Sequence, residues 1–141
     1  MTDRPAQEIA DPIQALPLLD RSVTEGFREL MGADFDSFAI DIVNTYCISS
    51  SELIAIMADA LENDERGIFQ RSAHTLKSSS AQIGALRVAE LARAMEEQAK
   101  MGTLDGAAPM LESTLRAFQL TCETLSAVKV EIKAAGFERN N

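Results

Sequence analysis

The sequence predicts an all-α domain, an antiparallel four-helix bundle with a short extra helix at its N-terminal end. Three observations predict it. Prolines stand at positions 5, 12, 17 and 109 only, so the run from Leu18 to Ala108 is open to long helices. Apolar residues recur at three- and four-residue steps, and no two-residue alternation is sustained. The chain has 141 residues, 46 % of them hydrophobic, which suits one domain with a real core.

The elements follow in order. Residues 1–17 read as a flexible leader, 18–135 as the bundle and 136–141 as a frayed tail. A first helix is predicted from about Asp20 to Met31, with Ser22 and Glu25 at capping-box spacing and Val23, Phe27 and Leu30 or Met31 on one face. Gly32 stands where it should end. A long second helix spans about Asp34 to Glu62. Its inward positions are Phe35, Phe38, Ala39, Ile42, Val43, Tyr46, Leu53, Ile56, Met57, Ala60 and Leu61, with a break near Ser49 to Ser51. Asn63-Asp64 provides a turn and the cap of the next helix. The third helix runs to Ile83, and Phe69, Ala73, Leu76, Ser80 and Ile83 form its buried stripe. Ser80 is expected to return its hydroxyl to a carbonyl one turn earlier. Gly84 fits the C-cap. The fourth helix, about Leu86 to Met101, buries Val88, Leu91, Ala92, Met95 and Ala99. Gly102 and Gly106 bracket a loop, and Pro109 suits a helix start. The fifth helix is expected to bury Leu111, Leu115, Phe118, Cys122, Leu125 and Ile132.

Composition narrows the function. There are 13 basic and 22 acidic residues, a net charge of −9. That argues against a nucleic-acid binder, which needs a basic footprint, and against docking on an anionic membrane. Cys47 and Cys122 form no C-x-x-C pair and no even framework, so they read as reduced thiols of an intracellular, cytoplasmic chain. No secretory signal is visible, and no stretch reaches the ~18 apolar residues of a membrane span. A single histidine excludes a multi-histidine metal site, and no metal site is expected. No phosphate-binding glycine loop or nucleophile elbow is present, which argues against a self-contained kinase or hydrolase. A carboxylate-bridged metal bundle would need a Glu three residues before the histidine, and Arg71 stands there.

One constellation stands out on the third predicted helix: Ala73-His74-Thr75-Leu76-Lys77-Ser78-Ser79-Ser80-Ala81-Gln82-Ile83-Gly84-Ala85. At 100° per residue, His74 lies beside the buried stripe, flanked on its face by Gln70, Arg71, Lys77, Ser78 and Ala81. From Arg66 to Ala89 there is no Asp or Glu; 22 acids in 141 residues would place about four in those 24 positions. This acid-free region is suited to a phosphoryl group or an acidic partner surface. The same pattern also fits an ordinary solvated helix face with small serines for close packing.

The segment His74-x-Leu76-Lys77-Ser78-Ser79-Ser80-x-x-Ile83-Gly84-Ala85 resembles the signature of histidine-containing phosphotransfer (HPt) domains, His-x-Leu-Lys-Gly-Ser-[Ser/Ala]-x-x-[Leu/Ile]-Gly. Leu19-Asp20 and Leu30-Met31-Gly32-Ala33-Asp34 resemble the family's first helix and turn. The likeness covers roughly residues 18–128. It implies a four-helix bundle that relays phosphoryl groups between receiver-domain aspartates in two-component signalling. By resemblance His74 is the phosphorylated residue and Lys77 lies beside the phosphoryl oxygens. Gln70, Arg71, Ser78, Ser79, Ala81 and Gln82 form the docking surface. Ser78 departs from the family's usual Gly and adds a hydroxymethyl group where a partner approaches.

Some members use a Gln on the following helix to bond the other imidazole nitrogen, and Glu96 has the matching spacing. Glu96 is either that orienter or, as its own helix pattern favours, an exposed charge paired with Arg93 or Lys100. The resemblance implies a phosphocarrier without kinase activity and without a cofactor of its own, Mg²⁺ being carried by the partner receiver. Expected partners are receiver domains of response regulators or of a hybrid sensor histidine kinase, met by a monomer. The alternative is a helical adaptor that binds receivers without accepting phosphate.

Overall fold

The proline-free run folds as a series of helices joined by very short connections. A computed structural model describes residues 13–140; side chains at several positions of the first helix and the turn after it, at 35 and 36, and from 128 onward lie outside the description. Helix α1 is Arg21–Met31, followed by one 3-10 turn, Gly32–Asp34. Then come α2 Phe35–Glu62, α3 Arg66–Ile83, α4 Leu86–Lys100 and α5 Ala107–Asn140. Each of α2 to α5 packs on two of the others, α2 on α3, α3 on α4, α4 on α5 and α5 back on α2, while α1 lies against α2 and α3. Short connections force antiparallel neighbours, so the architecture is the expected bundle.

The turns explain the boundaries. Asp20, rather than Ser22, caps α1: its Oδ1 accepts the Ser22 backbone N–H at 3.1 Å and the Ser22 hydroxyl at 2.6 Å. Asp64 does not cap α3. It sits in the left-handed region (φ 53°) and ends α2, with the Glu65 N–H bonded back to the Ala60 carbonyl at 2.8 Å. Gly84, φ 79°, ends α3 as expected. A Cβ there would lie 2.8 Å from the Asp20 carbonyl oxygen, so glycine also permits the approach of the chain before α1.

The core is the inner face of all four long helices. Phe69, Ala73, Leu76 and Ser80 of α3 are fully buried, as are Val88, Leu91, Ala92, Met95 and Ala99 of α4. Helix α2 contributes Val43, Tyr46, Ile54, Met57 and Ala60, but Ile42 and Ile56 are exposed. Its 28 residues run unbroken through Ser49–Ser51, and Ser50 is buried. Helix α5 buries Met110, Leu111, Thr114, Ala117, Phe118, Thr121 and Leu125, while Leu115 is exposed. Ile132 lies outside the described side chains, as do those of Phe27, Leu30, Met31 and Phe35. Thr114 and Thr121 occupy core positions because each hydroxyl donates to a carbonyl one turn earlier, at 2.7 Å. Ser80 instead pairs with the buried Tyr46 hydroxyl at 2.8 Å, tying α3 to α2. Tyr46 meets Phe118 edge-on, ring centroids 6.1 Å apart.

Three further findings differ from expectation. Cys47 of α2 and Cys122 of α5 form a disulfide, so they are not free thiols. Helix α2 is long and apolar enough to span a membrane by length and composition alone, although no such stretch was expected. Here it packs in the bundle, with 28 % of its most apolar window buried. Within the segment read as a leader, Ile13 and Leu16 pack against the core, Gln14 donates to Ser113, and the Arg87 guanidinium donates twice to the Leu16 carbonyl.

Candidate functional site

The buried stripe of α3 fixes which residues face outward at its middle. His74 follows the buried Ala73, so its ring emerges at the seam with α4, its side chain 59 % exposed. Glu96 meets it there. Glu96 lies at the edge of the inward stripe of α4, one turn after Ala92 and one residue after Met95, and its side chain is only 3 % exposed. It is therefore not an exposed charge, and Arg93 does not pair with it: Arg93 is held by Glu90 and Glu97.

A buried carboxylate needs partners, and three converge on it. Its Oε1 accepts from His74 Nδ1 at 2.7 Å and from Lys100 Nζ at 3.2 Å; its Oε2 accepts from Lys77 Nζ at 2.6 Å. Burial on its own would push the carboxyl up. Hydrogen bonds from Lys77, His74 and Lys100 outweigh burial and hold it at about 2. Glu96 is thus ionised at neutral pH. An ionised carboxylate only accepts, so Nδ1 of His74 carries the hydrogen. In the neutral ring Nε2 then keeps its lone pair, the arrangement a nitrogen nucleophile requires.

The ring opens onto a shallow pocket lined by Gln70, Arg71, His74, Thr75, Glu96 and Lys100. Of the residues expected to dock a partner, Gln70 and Arg71 therefore share the pocket with His74. Ser78, Ala81 and Gln82 are exposed further along α3. Ser79 turns away, half-buried, its hydroxyl donating to the Leu76 carbonyl at 3.3 Å. Thr75 and Lys100 are pocket residues that the sequence reading missed. The signal for Glu96 and Lys100 was present: an acid on an apolar stripe with a lysine four residues on. Among the described residues, no three His, Cys, Asp or Glu side chains gather as a metal site.

The family model for the Hpt domain matches residues 41–129. The chain belongs to the Hpt-domain family. Its role is histidine phosphotransfer in two-component phosphorelays, where proteins of this family interact with receiver domains and kinases. No curated protein matches the chain. Among solved structures it resembles histidine-containing phosphotransfer protein B (HptB) from Pseudomonas aeruginosa PAO1, with 23 % identity and a TM-score of 0.74 over 83 % of this chain and 98 % of that one. It also resembles the histidine-containing phosphotransfer protein MtHPt2 from Medicago truncatula, with 22 % identity and a TM-score of 0.68 over 93 % and 92 % of the two chains. At these identities the likeness speaks for the Hpt bundle itself.

Proposed function

We propose that His74 is the phosphorylated residue and that the chain relays a phosphoryl group between receiver-domain aspartates. The observation that carries this is the state of the only histidine in the sequence: exposed, with Nδ1 held by a buried carboxylate and Nε2 left as the nucleophilic nitrogen. The Nε2 lone pair attacks the phosphorus of an aspartyl phosphate. The P–O bond breaks, the aspartate leaves with the electron pair, and the hydrogen on Nδ1 stays on Glu96's side of the ring. The donor is already an activated acyl phosphate, so positioning and charge neutralisation do most of the work. Return to the next receiver reverses these steps.

Glu96 orients the imidazole, and Lys77 supports it by neutralising the far carboxylate oxygen. Gln70, Arg71, Ser78, Ala81 and Gln82 form the surrounding docking surface. The chain supplies no kinase activity and no cofactor; Mg²⁺ belongs to the receiver. It acts as a monomer in the cytoplasm, where receivers work.

The test uses the purified chain with a panel of receiver domains carrying labelled phosphoryl groups and Mg²⁺. Acid-labile, alkali-stable label is expected on the wild type and none on His74→Gln, which should still fold as the helical bundle because the side chain is exposed, with a modestly lower melting temperature from the lost bond to Glu96. Label persisting on that variant refutes the assignment of His74. Receiver binding without any label would favour a non-catalytic adaptor.

A further inference from the structure

The acid-free stretch from Arg66 to Ala89 holds four cations, and the structure shows what each is doing. Arg66 donates to the Ala99 carbonyl at the end of α4, and Arg87 to the Leu16 carbonyl. Lys77 sits on Glu96 Oε2 at 2.6 Å with its side chain 31 % exposed. Arg71 has no ion pair with any described residue, is exposed, and lines the pocket beside His74. It lies three residues before His74 on the same helix, so the two side chains are surface neighbours.

Lys100 is the most loosely held of the three partners of Glu96. It reaches Glu96 only at 3.2 Å, on the oxygen already bonded to His74, and its side chain is 56 % exposed. Moving Lys100 off Glu96 leaves the carboxylate with His74 and Lys77. Moving Lys77 off strips the only donor to Oε2 from a buried anion, a costly step. Lys100 lines the pocket, and Lys77 does not.

We infer that Arg71 and Lys100, not Lys77, neutralise the phosphoryl group carried on His74, with Lys77 retained as the counter-ion of Glu96. This rests on His74 being the phosphorylated residue and reassigns the phosphoryl contact within that site. A guanidinium on one side and a mobile ammonium on the other can follow a group that arrives and leaves, whereas Lys77 is fixed in place. Charged groups facing the ring come from α3 (Arg71, Lys77) and α4 (Glu96, Lys100). From α2, the Tyr46 hydroxyl meets Ser80 of α3 in the core.

The test does not need a receiver. Phosphoramidate phosphorylates exposed histidines chemically, so it loads His74 of the full chain directly. Phosphorus NMR then follows the second ionisation of the phosphoryl group, which nearby cations hold to lower pH. Its midpoint is expected to rise by about half a pH unit in Arg71→Ala and again in Lys100→Ala, and to return in Lys100→Arg. In the wild type, carbon-13 signals of the lysine side chains are expected to move on phosphorylation for Lys100 and stay for Lys77. Movement of Lys77 with Lys100 unmoved overturns the inference. So do unshifted midpoints in both alanine variants, or a His74 that phosphoramidate cannot reach. Transfer from receivers is measured in parallel: its failure with the spectra as expected counts against the relay and not against this assignment of charges.

Discussion

Replacing Glu96 by Gln keeps the shape of the α3–α4 seam and removes the charge on which His74, Lys77 and Lys100 converge. The size of the effect follows from the carboxyl, held at about 2 from an ordinary 4.5. A difference of about 2.5 units is worth about 3 kcal/mol of folding stability at neutral pH, and the group is too buried for solvent to screen much of it. Because the folded-state value is depressed, this contribution is full above about pH 4.5 and is lost as pH falls toward 2. About 2 kcal/mol of it disappears between pH 5 and pH 3. Urea unfolding of wild type and Glu96→Gln at half-unit steps from pH 6 to pH 3 measures it as a difference, which cancels carboxylates common to both. The gap should be about 3 kcal/mol at pH 6 and shrink steadily below pH 5. A constant gap across the range would refute the reasoning, since it would mean that Glu96 is not stabilised as an anion by its three partners.

Four other perturbations test the packing. Tyr46 is the only tyrosine in the sequence, and burial pushes its hydroxyl up to about 12 against the opposing hydrogen bonds. Phenolate absorbance should stay flat through pH 10, and stability should fall as pH rises from about 10 toward 12; titration at the ordinary value would refute this burial. Tyr46→Phe, which strands Ser80 in the core, should lose about 1 kcal/mol by denaturant unfolding. Reducing Cys47–Cys122, which closes a separation of 75 residues, should cost up to about 4 kcal/mol in a urea midpoint compared with and without reductant. Thiol trapping on lysis reports which form the cell holds. Gly84→Ala should cost about 2 kcal/mol or more and lower the melting temperature, because it combines a left-handed backbone with a contact at 2.8 Å to the Asp20 carbonyl.

How much was legible depended on whether a helix could be read alone. Helices α3 and α4 each show the bundle one dominant face, and their buried positions follow from spacing: Phe69, Ala73, Leu76 and Ser80, then Val88, Leu91, Ala92, Met95 and Ala99. Helix α2 carries apolar residues nearly all round, so periodicity could not separate the buried Ile54 from the exposed Ile42 and Ile56. In α5 the core positions Thr114 and Thr121 read as polar, because the hydrogen bonds that let a hydroxyl be buried run to the backbone. The two cysteines lie on helices far apart in sequence, and only tertiary packing brings them together.

The site follows the same division. His74 was legible because its motif is local. Glu96 was ambiguous because its partners lie on two helices, and an acid at the edge of an apolar stripe is either paired across a seam or solvated. Once the seam is known, the meaning of the acid-free stretch changes. It is not a broad basic patch waiting for a partner: Arg66 and Arg87 hold carbonyls, and Lys77 holds the buried carboxylate. What remains exposed around His74 is a small unbalanced positive charge, Arg71 with the loosely held Lys100, on a chain of net charge −9. A site built this way attracts a phosphoryl dianion at one place while the rest of the surface repels it. With His74 as the phosphorylated residue, as proposed, positive charge is focused at its ring while the exposed Ser78, Ala81 and Gln82 beyond it are uncharged.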